Sequence, residues 1–218
     1  MANNSTATSH ADFVQHHFVD AEQQFDSAKM GMWVFLVTEI LFFGGLFAAY
    51  TVFRITHPTV FAEGSKELDV LWGTVNTLVL IGSSLTVAMA IKSAQLNQTR
   101  NVTINLCITI ALAFIFLMIK YFNWMHHFSL GIYPGAAYSF TGIDNPNASI
   151  FFSFYYLMTG LHGIHVIVGI GVMIWLLIKN QKGEFNSEYY TPLEIGGLYW
   201  HLVDIIWIFL YPLFYLIH

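Results

Sequence analysis

Residues 31–50 read GMWVFLVTEILFFGGLFAAY. Nineteen of these twenty residues suit hydrocarbon, and the exception, Glu39, stands near the middle. Twenty helical residues at about 1.5 Å each cross the roughly 30 Å apolar core of a bilayer. An ionisable carboxyl at mid-depth costs at least about 2.5 kcal/mol on insertion scales, so a neighbouring group must offset it. What Glu39 faces is therefore the question that organises the rest of the chain.

The whole composition agrees with that stretch. The chain has 218 residues, 56% hydrophobic and 10% charged, against about 25% charged in a soluble domain. The expected fold is all-α, a polytopic membrane bundle of five transmembrane helices. A net charge of -5 without a basic cluster excludes nucleic acid as a partner. The one cysteine, Cys107, can form no intrachain disulfide. The first thirty residues lack a short apolar run followed by small residues, so no cleavable signal peptide is expected.

Residues 1–29 read as a polar tail, with His10, His16 and His17 among its acidic groups. These histidines suit either a solvated tail or metal binding. Residues 30–218 form the membrane domain, with spans expected at about 31–53, 73–91, 104–122, 150–178 and 195–217. The loop 54–72 reads as wet, and the connection 123–149, rich in aromatics, as interfacial. Lys29, Lys92, Arg100, Lys179 and Lys182 fall on the side of the tail, and Arg54, Lys66 and Lys120 on the other. The positive-inside rule then places the N-terminus in the cytoplasm and the C-terminus outside.

Within the spans the ionisable candidates for chemistry are Glu39, His162, His165, His201 and Asp204. His162 and His165 are three apart, which puts them on one helix face. His201 and Asp204 have the same spacing, and a His–carboxylate pair is a common support for a metal ligand. With Glu39 they resemble a three-histidine, one-carboxylate set. The other reading is interhelical hydrogen bonding or contact with lipid headgroups. Glu39 likewise reads either as a protonatable group in proton movement or lipid binding, or as a neutral carboxyl bonded to a neighbouring helix. Asn76 and Asn105 read as interhelical hydrogen bonders, and the small residues at Gly44, Gly45, Ala48, Ala49, Gly82, Ser83, Ser84, Gly160, Gly163, Gly169 and Gly171 as close helix contacts. The tryptophans lie mostly toward span ends and read as interfacial anchors. There is no phosphate loop, no Cys-x-x-Cys and no serine nucleophile motif.

Four blocks together resemble subunit III of the haem–copper oxidases. KMGMWVFLVTEILFFGGLFAAY, residues 29–50, is similar to that family's glutamate helix, and VNTLVLIGSSLTVAMA, residues 75–90, to the helix after it. TGLHGIHVIVG, residues 159–169, resembles its two-histidine helix, and YWHLVDIIWIFLYPLFYL, residues 199–216, its last. They stand in the family's order and spacing across nearly all of residues 29–217.

The resemblance implies an accessory, non-catalytic subunit of a proton-pumping terminal oxidase, bound to subunit I. It would carry neither haem nor copper, which belong to partner subunits, and would hold structural phospholipid and support proton uptake. Glu39, His162, His165, His201 and Asp204 match the family's intramembrane positions, with no catalytic residue and no metal ligand implied. The fullest form of the family has seven helices. The five-helix form resembles bacterial oxidases and implies a bacterial inner membrane. Many members carry a glutamate where this chain has Asn123. Rival readings are a quinol oxidase subunit, a nitric oxide reductase accessory protein, a stand-alone metal enzyme on His162, His165 and His201, or a proton carrier using Glu39.

Overall fold

A computed structural model of the chain describes residue 18 and residues 21–143, 145–187 and 189–217. The tail histidines His10, His16 and His17 lie outside these. The described residues form six α-helices and no strand: α1 (Ala21–Thr56), α2 (Pro58–Lys66), α3 (Val70–Gln95), α4 (Thr99–Ser129), α5 (Ala148–Gln181) and α6 (Thr191–Tyr215). All but α2 are long and apolar enough to cross a membrane. The chain is a multi-pass, all-α membrane protein.

The helices outrun the apolar stretches, because polar residues without a backbone reason to stop continue the helix. α4 passes through Trp124, His126 and His127 and ends only where Gly131 turns left-handed at φ 83°. There the N–H of Ile132 returns to the carbonyl of His127 at 3.0 Å, the usual C-terminal closure on glycine. At the start of α3, Asp69 Oδ1 accepts from the N–H groups of Leu71 (2.9 Å) and Trp72 (3.3 Å). The loop expected to be wet contains α2, which opens on Pro58. It buries Val60 and Phe61, and Phe61 stacks edge-on against Tyr50 and Phe151.

Helices α3, α4, α5 and α6 close a four-helix ring, each packed on its two neighbours, and α1 leans on the outside against α6. In the ring's interior, α6 is the most covered span. Trp200 and Trp207 of α6 are fully buried, which corrects their reading as interfacial anchors. Each indole N–H needs a buried acceptor, and α3 supplies one: Trp200 donates to Ser83 and Trp207 to Thr77, both at 3.0 Å. The Thr74 and Tyr211 hydroxyls bond at 2.7 Å on the same seam. Such bonds across membrane helices contribute about 0.6–2 kcal/mol each. Asn76 is not part of the seam: it is fully buried, and its amide has no partner among the described residues.

Lys120 is also not where its charge suggested. It lies inside the ring, 8% exposed, rather than on the outer side. Its ammonium donates to the hydroxyls of Tyr155 (3.2 Å) and Tyr215 (3.1 Å) and sits 4.7 Å from the ring centre of Trp207. Aromatic faces and phenol oxygens thus substitute for a carboxylate partner. Without Lys120, the basic residues outside the ring divide five to two between the ends of the bundle.

Candidate functional site: a glutamate–histidine pair between α1 and α5

Glu39 faces His165. Its Oε2 lies 3.0 Å from Nε2 of the imidazole, and both side chains are 18% exposed. The other ring nitrogen, Nδ1, is 2.7 Å from the carbonyl of Leu161, one turn earlier in α5. A carbonyl only accepts, so Nδ1 carries a hydrogen and donates. One further proton is then shared between Nε2 and the carboxyl, as acid and neutral imidazole or as carboxylate and imidazolium. In either form the carboxyl is hydrogen-bonded, and this contact offsets the cost of placing Glu39 in the bilayer.

Three elements hold His165 in place. The ring of Phe43 on α1 meets the imidazole edge-on at 5.3 Å. Leu161 fixes the tautomer from within α5. Tyr199 of α6 donates to the backbone carbonyl of His165 at 2.9 Å. The pair therefore ties α1 to the ring at a point where α1 has little other cover, since only a small part of its apolar length is buried.

The other candidates do not converge on this point. Three residues along a helix turn the side chain by about 60°, enough to send neighbours to different partners. His165 turns to α1, whereas His162 turns inward and is fully buried, its ring against Phe116 and Trp207. Neither nitrogen of His162 has a partner among the described residues. His201 pairs with a hydroxyl, Nδ1 to Ser84 Oγ at 2.7 Å, and not with a carboxylate. Asp204 is 3% exposed, and neither of its oxygens is paired among the described residues. The His–carboxylate pair expected within α6 thus forms between α5 and α1 instead. Among the described residues no three histidine, cysteine or acidic side chains come together as a metal site, so His162, His165 and His201 do not form the ligand set considered from sequence.

Ser84 and Lys120 were not among the site candidates drawn from the sequence. Ser84 looked like one of several small residues in a helix contact, and only the neighbouring helix reveals it as the partner of His201. Lys120 carried one usable signal: it lies within an otherwise apolar run.

Known proteins match the chain along nearly its whole length. The family model for cytochrome c oxidase subunit III matches residues 7–218. A cytochrome c oxidase subunit 3 from Thermostichus vulcanus is 32% identical over 198 residues, covering 90% of this chain and 90% of that protein. A probable quinol oxidase subunit 3 from Staphylococcus aureus is 29% identical, covering 87% of this chain and 88% of its own. A heme-copper oxidase subunit I+III from Aeropyrum pernix is 29% identical across 88% of this chain, which matches 23% of that longer protein. Five apolar helices in this order, with a match along almost the entire sequence, lead to one conclusion: the chain belongs to the cytochrome c oxidase subunit III family, and is an accessory subunit of a haem–copper oxidase.

Proposed function

We propose that this chain binds subunit I of a proton-pumping terminal oxidase, retains structural phospholipid and supports proton uptake, while haem and copper reside in its partners. The supporting observation is the hydrogen-bonded Glu39–His165 pair on the thinly covered side of the bundle. The relative in which subunits I and III are a single chain supports contact with subunit I. The pair is suited to holding a proton and a helix contact, with His162, His201 and Asp204 as buried polar support. The chain lies in a bacterial inner membrane with its N-terminus in the cytoplasm, as the five-to-two division of basic residues favours.

The test is Glu39→Gln in the assembled complex. Glutamine keeps the shape and a hydrogen bond to His165 but cannot exchange a proton. The expected result is near-normal initial turnover with loss of bound lipid or of endurance over many turnovers. Abolition of the first turnover would contradict an accessory role. A quinol-oxidising complex is the second reading, favoured by the relative named as a quinol oxidase subunit. Purifying the complex through a tag on this chain and assaying quinol against cytochrome c separates the two.

A further inference from the structure

A groove of about 680 Å³ lies between the start of α3, the second half of α4 and the end of α6. Its wall is apolar, built from Trp72, Ile115, Met118 and Phe122. Its mouth is polar, with Glu67, Asp69, His126 and His127. From Ile115 to His126 the helix rises about 17 Å, close to half the thickness of a bilayer core. The groove therefore has the length of one acyl chain in one leaflet and a polar end at headgroup level.

The polar end has a definite chemical demand. Glu67 and Asp69 bring two carboxylates, and among the described residues no cation lies within ion-pair distance of either. Asp69 uses Oδ1 to cap α3 and keeps its second oxygen free of that duty. His127, only 5% exposed, has no partner for Nδ1 among the described residues. A neutral imidazole has one donor and one acceptor nitrogen, so His127 can offer an acceptor at the mouth. Two carboxylates and an acceptor nitrogen at one mouth suit a group with several N–H donors and a positive charge. A primary ammonium has both, a quaternary ammonium has no N–H, and a phosphoglycerol head adds only negative charge.

We infer that this groove binds one phospholipid with a primary-amine headgroup, its ammonium between Glu67, Asp69 and His127 and one acyl chain along α4. The inference rests on the reading of this chain as a lipid-retaining subunit, and it adds a site and a headgroup preference.

The test uses the intact complex in nanodiscs of phosphatidylethanolamine, phosphatidylcholine and phosphatidylglycerol. One lipid at a time carries a photoreactive acyl chain, and crosslinks are mapped by mass spectrometry. Labelling of the 115–122 segment by the ethanolamine lipid should exceed the other two by about fivefold, the size expected of one or two partly exposed ion pairs. The double variant Glu67→Gln/Asp69→Asn, in which asparagine still caps α3, should reduce that labelling to the choline level. Its haem spectrum and subunit content should stay unchanged. Equal labelling by all three lipids, a preference for the glycerol lipid, or no labelling of the segment would each overturn the site. Failure of the subunit reading is distinct: the tagged chain would then purify without a haem-bearing partner.

Discussion

Gly169→Ala isolates the contact that joins α5 to α6. A Cβ built at Gly169 falls 2.6 Å from Cζ3 and 2.8 Å from Cε3 of Trp200. Carbon atoms in contact prefer about 3.5–4.0 Å, so the added methyl is about 1 Å too close. Trp200 cannot simply retreat, because it is fully buried and its indole N–H is held by Ser83 on the far side. Overpacking of this kind costs about 1–3 kcal/mol, alanine returns about 1 kcal/mol of helix propensity, and an indole N–H pulled off its acceptor adds about 1–3, for a net loss of about 1–5 kcal/mol. Gly163 and Gly171 are internal controls on the same helix, since a Cβ at either meets nothing within 4 Å. Alanine at these positions should leave stability unchanged or raise it slightly. The assay is thermal unfolding of the purified complex in one detergent, comparing the three variants. Trp200→Phe supplies the second arm of a cycle: with the fused two-ring indole replaced by a single phenyl ring, Gly169→Ala should cost less than it does in the parent. If Gly169→Ala behaved like the two controls, or if its cost simply added to that of Trp200→Phe, close approach at this crossing would not be what stabilises it.

Two other substitutions probe the interior. Lys120→Met retains a long side chain among Tyr155, Tyr215 and Trp207 and removes a charge without a carboxylate partner. Unfolding temperature should be unchanged or higher, while Lys120→Ala opens a void and should cost about 2–3 kcal/mol. Equal losses in the two would mean that the ammonium itself is required. Tyr50 donates its hydroxyl to the carbonyl of Leu213, one of the last carbonyls of α6 that the helix leaves unpaired. Tyr50→Phe should therefore cost about 1 kcal/mol, seen as a lower melting point and faster amide exchange at the end of α6, with no change in the haem spectrum.

The number and class of the elements were legible from the sequence. Uninterrupted apolar runs of some twenty residues can satisfy their backbone in a bilayer only as helices, and the five spans follow. Motif order carried the family, and the lone Glu39 in its run identified one half of the Glu39–His165 pair. The other half was visible only as one of two histidines. Whether His162 or His165 faced α1 depended on a 60° difference in direction along α5, and the sequence does not state the rotation of a helix about its axis. In a soluble helix, amphipathic periodicity would reveal that rotation. In this chain lipid-facing and core-facing side chains are equally apolar, so the pattern is erased. The same loss hid the burial of Trp200 and Trp207 and the difference between Gly169, pressed against an indole, and Gly163 and Gly171, where an added Cβ would meet nothing within 4 Å. It also allowed Lys120 to be read by its charge as a residue at the membrane surface. The sequence by itself determined what crosses the membrane and which polar groups must find partners there. Which groups became partners was decided by the packing of the four-helix ring and by α1 against α6, because a buried hydrogen bond depends on the position and direction of both groups, and those are set by helices far apart in the chain.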